Sequence, residues 1–248
     1  MNAIYILWLR QVKRYFRSKS RIIGALGQPL LFLFALGFGF GPIFERAGEG
    51  DYLQFLVPGI IAMSILFTSI FNGIEIIWDR QFGFLKETLV APVSRVNIML
   101  GKTLGGASVS IFQGITILAI ASMIGFRLTH PSVLLAALLF MFLVALFFTA
   151  LGSAIASVLD DIHGFQLIMN FLVMPLFFLS GALFPVEDLP PAVNIFVQFN
   201  PLSYGVDGLR GSLTGVFQLA LWANFAVLTA CGAIMVIIGA YLFSRVEI

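Results

Sequence analysis

Gly101, Lys102 and Thr103 close the stretch VSRVNIMLGKT with the last three residues of a phosphate-binding loop. The full GxxxxGK[ST] needs its first glycine so that backbone N–H groups can curl round phosphates. Val96 stands there instead, a β-branched residue that does not supply the turn. No strand of soluble type precedes it, and no apolar strand ending in Asp follows to hold magnesium. The chain is therefore read as binding no nucleotide. Enzyme chemistry finds no foothold either: there is no GxSxG, no HExxH and no carboxylate pair near a histidine. His130 and His163 lie too far apart for ligand spacing, and the lone Cys231 excludes a disulfide or a thiolate metal site. The DDIH at 160–163 sets four adjacent residues on a short turn, which seldom converge on one ion. It reads as a solvated loop, so no catalytic residue, metal or cofactor is expected.

Polar residues inside apolar segments carry more. Ser64, Thr68, Asn72 and Glu75 fall within about 80° of arc at 100° per residue, a polar stripe on one helix face. Such a stripe either hydrogen-bonds across helices or lines a substrate path. Glu75 is the one acid inside an apolar run, and intramembrane acids are functional candidates. One turn from Asp79 and Arg80, it reads as a gating or coupling contact rather than a proton carrier. Gln166 and Asn170, spaced i and i+4, read as interhelical glue. The small strips Gly101, Gly105, Ser108 and Gly152, Ser153, Ala156, Ser157 argue for close helix packing.

The elements that must position these residues are membrane spans. Of the 248 residues 60% are hydrophobic and 10% charged, with a mean hydropathy of +1.02; a soluble domain carries about 25% charged residues. Six runs reach roughly the 20 apolar residues a spanning helix needs, at approximately 22–44, 55–78, 104–126, 132–158, 164–184 and 219–243. They are continuous rather than alternating, which argues for helices and against a β-barrel. The first run is too long for a cleavable signal and is read as a retained span. Eleven of the 14 Lys and Arg lie in 1–21, 79–103 and at Arg245, and three, Arg46, Arg127 and Arg210, on the other side. The positive-inside rule puts both termini in the cytoplasm. No boundary or repeat divides residues 1–248, so one transmembrane domain is expected.

Three segments outside the spans stand out. In residues 1–21, Ile4, Leu7, Trp8, Val12, Tyr15 and Phe16 oppose Arg10, Lys13, Arg14 and Arg17. That is an interfacial helix whose basic face turns to headgroups or to a partner subunit. In the loop 79–103, Phe82, Phe84, Leu85, Leu89 and Val90 make an amphipathic segment, and Pro92 ends any helix begun near Asp79. Exposed Phe and Leu need shelter in a partner or in lipid. Burying two Phe side chains, at about 25 cal/mol per Å2, supplies enough to seat a helix in a groove. In the outer segment 184–218, Ala192 to Phe199 is too short to span and is bracketed by prolines. It reads as a pair of short re-entrant helices, the alternative being a surface hairpin. Glu187 and Asp188 favour the start of the first, and Asp207 and Arg210 are spaced to pair on one turn.

Two of these segments carry a resemblance. DRQFGFLKETLVAPVSR at 79–95 is similar to the cytoplasmic pattern E-R-E-x-G-T-x-E-x-L-x-x-x-P-V-S-R of type-2 ABC exporter permeases, the family of daunorubicin-resistance, nodulation-factor and polysaccharide exporters. SGALFPVEDLP at 180–190 and NPLSYGVDGLR at 200–210 resemble that family's outer motifs. Gln81, Phe84 and Lys86 depart from the pattern where an acid, Thr and Glu are common. The resemblance covers essentially the whole chain. It implies a coupling helix from Phe82 to Ala91, with Phe82, Gly83, Phe84, Leu85, Lys86, Glu87, Leu89 and Pro92 docking a separate ATPase. It further implies two ATPase copies, a second permease copy, and spans one and five flanking the path. ATP and magnesium would be bound by the partner subunit alone.

The fold expected is thus an all-α integral membrane protein. It has six transmembrane helices, an N-terminal interfacial helix, a cytoplasmic coupling helix and outer re-entrant helices between spans five and six. The function expected is an ATP-driven exporter permease in the cell (inner) membrane, surrounded by lipid and moving an amphipathic drug, lipid or glycolipid, with no nucleic-acid partner. Ser64, Thr68, Asn72 and Glu75 are the gating or path residues. Phe184, Pro185, Pro201, Tyr204, Asp207 and Arg210 form the outer gate. The alternative is an ion-coupled secondary transporter acting without an ATPase, for which Glu75 alone would qualify.

Overall fold

The computed structural model describes residues 3–46, 51–85, 88, 92–128, 133–186 and 190–246. Among them ten helices are assigned and no strand: α1 (Ala3–Arg17), α2 (Lys19–Arg46), α3 (Tyr52–Phe71), α4 (Ile74–Gln81), α5 (Arg95–Ile124), α6 (Leu134–Val158), α7 (Ile162–Phe178), α8 (Pro191–Phe199), α9 (Pro201–Thr214) and α10 (Leu221–Ser244). Among the described residues five stretches are long and apolar enough to cross a membrane: 19–44, the α3–α4 stretch 52–81, α5, α6 and α10. The remaining expected span corresponds to α7, which has 17 residues and stops at Phe178 instead of running to 184. A turn with Gly181 at φ +73° follows it.

Local chemistry explains where the helices start and stop. Asp51 caps α3 by accepting the Leu53 N–H, and Asp161 caps α7 by accepting the Gly164 N–H. The second of these bonds holds the Asp161 carboxyl below the usual carboxylate range. Ser94 accepts the Asn97 N–H, so α5 begins at Arg95, well ahead of the expected 104. Gly125, at φ +126°, terminates it. The connection 79–103 is therefore mostly helical at both ends, and only 82–94 separates α4 from α5. Pro92 does not end the helix that carries Asp79. That helix stops at Gln81, because Gly83 turns the chain at φ +79°.

Helix α3 is the axis of the bundle. From Leu56 to Leu66 every residue is buried, packed among α2, α5, α6 and α9. The backbone of α3–α4 loosens at Asn72–Gly73, where it crosses α6. A Cβ on Gly73 would sit 2.4 Å from the Gly152 carbonyl oxygen, and one on Gly152 would sit 2.4 Å from that of Ile70. The expected small strip on α6 thus meets α3 backbone to backbone, and the strip on α5 does the same for α1. A Cβ on Gly101 or Gly105 would run into Leu7 or Gln11. Trp8 Nε1 donates to Ser108 Oγ at 2.9 Å, and the Tyr15 hydroxyl donates to Gln113 Oε1 at 2.7 Å. Burial raises the pKa of the Tyr15 phenol, with Arg21 opposing, which keeps it a donor.

Gly152→Ala is expected to destabilise the bundle by about 1–3 kcal/mol through this crossing. Gly39→Ala, where a Cβ meets nothing within 4 Å, serves as the control. Thermal unfolding of the two purified variants in detergent separates the cases.

Candidate functional site

One end of the bundle collects the start of α2, the α4–α5 connection, the α6–α7 turn and the end of α10. Glu75 and Asp79, one turn apart on α4, are 2% and 4% exposed. Arg21 of α2 donates to Glu75 Oε1 at 2.6 Å, and Arg14 of α1 stands 3.6 Å from Oε2. Asp79 Oδ2 accepts from Lys102 Nζ at 2.5 Å, while Arg10 and Arg14 approach Oδ1 at 3.4 and 3.8 Å. Lys102 is itself only 5% exposed. The lysine of the apparent phosphate motif is therefore the counter-ion of a buried carboxylate. Its neighbours Gly101 and Thr103 are buried within α5, a site with no room for phosphate.

The basic arc of the N-terminal helix is partly engaged within the chain. Arg10 and Arg14 pair with carboxylates of α4, while Lys13 and Arg17 stay exposed. The pairing was not legible because α1 and α4 are more than fifty residues apart; the signal present was the unbalanced acid at Glu75.

The polar stripe above Glu75 opens onto a groove of about 300 Å3 between α2 and α3. Ser64, Thr68 and Asn72 line it with Arg21 and Gln28. Asn72 Nδ2 donates to the Gly106 carbonyl at 3.2 Å, so part of the stripe is interhelical bonding. The Ser64 hydroxyl is buried without a hydrogen-bond partner among the described residues.

The α4–α5 connection is pinned at both ends. Arg80 donates from Nη2 to the Ser157 carbonyl at 2.9 Å and from Nη1 to Leu159 O at 3.3 Å, and it pairs with Asp160. Gln81 Nε2 adds a bond to Asp160 O at 3.2 Å. Arg95 donates from Nη1 to Ser244 O at 2.7 Å and to Val246 O at 2.8 Å. Each guanidinium thus caps the carbonyl end of a long helix, α6 and α10 respectively, where the helix dipole favours a cation. Between these anchors Phe82 is 72% exposed and Phe84 51%, on either side of Gly83. Leu85, expected to share that ridge, is 2% exposed and belongs to the core of this chain. Thr88 Oγ1 bonds back to Phe84 O at 3.0 Å, and Pro92 is exposed. Lys86, Glu87 and Leu89 lie outside the described residues.

At the opposite end α8 and α9 form the expected pair of short helices. Pro201 takes the first position of α9, and Asn200 caps it while donating to Leu176 O at 2.7 Å. The Tyr204 hydroxyl donates to Gln198 O, tying α9 back to α8. Asp207 and Arg210 do not pair with each other. Asp207 accepts from Gln218 N, Leu219 N and Asn224 Nδ2, clamping the start of α10. Arg210 lies 3.9 Å over the Phe55 ring and donates to Gly181 O at 2.8 Å. The spacing permitted an ion pair, but buried backbone donors and carbonyls needed partners first. Pro185 lines a cavity of about 480 Å3 with Asp207 and Arg210, and Phe184 is exposed beside it. Glu187, Asp188 and His130 lie outside the described residues. Gln166 and Asn170 are not interhelical glue within the chain, since both sit on the exposed face of α7.

Several helices long and apolar enough to cross a membrane, packed as one bundle, mark a membrane-spanning protein. Residues 2–214 match the family model for the ABC-2 type transporter, and the chain belongs to that family. It is 31% identical to Nodulation protein J of Rhizobium leguminosarum bv. viciae, over 85% of this chain and 79% of that protein. It is also 31% identical to the putative transport permease ycf38 of Cyanophora paradoxa, over 85% and 73%. With the inner membrane transport permease YadH of Escherichia coli K12 it shares 29% identity over 91% and 88%.

Asp79→Asn leaves the Lys102 ammonium buried without its counter-charge and is expected to destabilise by about 3–5 kcal/mol. Adding Lys102→Met removes the stranded charge and recovers most of the loss. The unfolding temperatures of single and double variants test this.

Proposed function

We propose that the chain is the membrane permease subunit of an ATP-driven exporter, with ATP and magnesium bound and ATP hydrolysed in a separate partner subunit. Two permease copies and two ATPases assemble in the cell (inner) membrane, with both termini and the α4–α5 connection on the cytoplasmic side. The observation that carries this reading is the exposed Phe82–Gly83–Phe84 ridge, which leads into helical residues at 84, 85 and 88, on a connection anchored at both ends. Two large aromatic rings exposed side by side on a connection at the charged end of the bundle need a covering surface. The arginine anchors make the ridge a lever: a push on it moves the ends of α6 and α10 directly, and reaches Glu75 and Asp79 through α4.

In this reading α7 is the sixth crossing: the turn that leads into it is held to the end of α4 by Gln81, and Leu176 near its other end accepts from Asn200 at the start of α9. Helices α8 and α9 re-enter the membrane from outside, and the buried face of α9 against α3, α6 and α10 supports it. Phe184, Pro185, Pro201, Tyr204, Asp207 and Arg210 form the outer gate; α1 lies at the cytoplasmic interface. Gln166 and Asn170 on the exposed face of α7 would be unsatisfied in lipid, which supports a second permease copy or the cargo path beside α7 and α2. The cargo class is an amphipathic drug, lipid or glycolipid, met first by Ser64, Thr68 and Asn72, with Glu75 as the coupling contact below them. An ion-coupled mechanism would need Glu75 to exchange protons, and its double engagement by Arg14 and Arg21 argues against that role.

Phe82→Asp with Phe84→Asp is expected to leave the permease inserted and to release the ATPase. Leu85 is left intact because its loss would unfold the core. Retention of both ATPase co-purification and nucleotide-dependent transport in that variant would sink the docking assignment. Arg80→Gln with Arg95→Gln is expected to keep the ATPase bound and hydrolysing while transport falls about tenfold or more. Paired measurements of hydrolysis and transport in one proteoliposome preparation read the difference.

A further inference from the structure

The charges at the basic end do not balance. Among the described residues Arg10, Arg14, Arg21 and Lys102 surround only Glu75 and Asp79, so four cations share two carboxylates. Lys102 and Asp79 satisfy each other. Arg21 bonds Glu75 closely, and the more distant Arg10 and Arg14, with side chains 42% and 36% exposed, hold the excess; Arg14 and Arg21 flank the same Glu75 carboxylate. Arg21 uses Nη1 on Glu75, and its guanidinium offers four further N–H donors. The same Arg21 stands in the wall of the α2–α3 groove.

That groove has the shape of an amphiphile. Beyond Arg21 its walls are Pro29 of α2 with Phe67 and Phe71 of α3, all apolar. Gln28, Thr68 and Ser64 form a polar line along it, the Ser64 hydroxyl itself being buried. From Asn72 to Ser64 it follows α3 for about 12 Å at 1.5 Å per residue. An aliphatic chain lies along the aromatic wall over that length, and the polar line accepts a linker oxygen. A head bearing negative charge then reaches the remaining N–H donors of Arg21, with Arg14 on the other side of Glu75 adding a second positive charge; a guanidinium binds phosphate or carboxylate with paired N–H donors.

We propose that the α2–α3 groove binds an amphiphile with an anionic head, phosphate or carboxylate, seated on Arg21, with its apolar chain along Phe67 and Phe71. Binding needs neither partner nor nucleotide; only the further step, that this ligand is the exported cargo, rests on the export reading. A cationic or uncharged amphiphile of the same chain length meets the excess positive charge with no compensating contact.

The purified permease, without ATPase or nucleotide, is titrated in dodecyl maltoside with dodecyl phosphate, dodecyltrimethylammonium or inorganic phosphate while its unfolding temperature is followed. Dodecyl phosphate is expected to raise that temperature saturably, and the other two are not. Arg21→Gln should weaken dodecyl phosphate about tenfold, the loss of one charge-assisted contact. Because Arg21→Gln strands Glu75, the double variant Arg21→Gln/Glu75→Gln is measured beside it. It keeps the same charge excess but lacks the groove guanidinium, and should lose the same affinity. Arg127→Gln, far from the basic end, should leave the affinity unchanged. Equal stabilisation by dodecyltrimethylammonium, or undiminished binding in the double variant, overturns the proposal. Inorganic phosphate acting as strongly as dodecyl phosphate would show a free-anion site and overturn it as well. Failure here leaves the ATPase-docking test untouched, and failure of docking leaves this binding result untouched.

Discussion

Two buried carboxylates organise this molecule. A charged side chain away from water is tolerated only when paired and hydrogen-bonded, and Glu75 and Asp79 are both nearly inaccessible. Their demand for cations fixes three elements at once. Arg10 and Arg14 draw α1 against the bundle, Arg21 sets where α2 begins its crossing, and Lys102 holds the first turns of α5 to α4. These pairs add to the Trp8 and Tyr15 hydrogen bonds that hold α1 on α5.

Geometry that small residues permit makes this arrangement rigid. Gly101 and Gly105 let α1 lie on α5 closely enough for the Trp8 and Tyr15 hydrogen bonds to form. Gly73 and Gly152 let α3–α4 cross α6 at backbone contact, just before the acids. A displacement of α4 is therefore passed on to neighbours rather than absorbed by loose side chains. The two arginines flanking the 82–94 connection extend that stiffness to the carbonyl ends of α6 and α10. The proposed coupling thus runs through polar contacts at helix ends, set on an apolar frame that changes little.

The opposite end of the bundle follows a different rule. There Asp207 and Arg210 bond to backbone groups, among other partners, and close the α9–α10 turn and the turn after α7. An irregular backbone placed among packed helices must find internal partners for each N–H and carbonyl. These side chains supply them, and the cavity near Pro185 is left between the clamps.

Composition and run length alone determined that the chain is a bundle of apolar helices, because continuous hydrophobic runs of that length admit no other backbone in lipid. The motifs at 79–95 and 180–210 determined the family, and the exposed pair Phe82 and Phe84 was legible as a ridge. Helix limits were partly legible: Ser94 and Gly83 mark the true ends of α5 and α4, but capping and turn chemistry is local and was outweighed by hydropathy in placing the edges. Only the tertiary structure decided what the charges do. The basic arc of α1 could face headgroups, a partner or this same chain, and Asp207 with Arg210 could pair or part. Such choices turn on which buried groups stand a few ångströms away, and spacing along the chain carries no information about that distance.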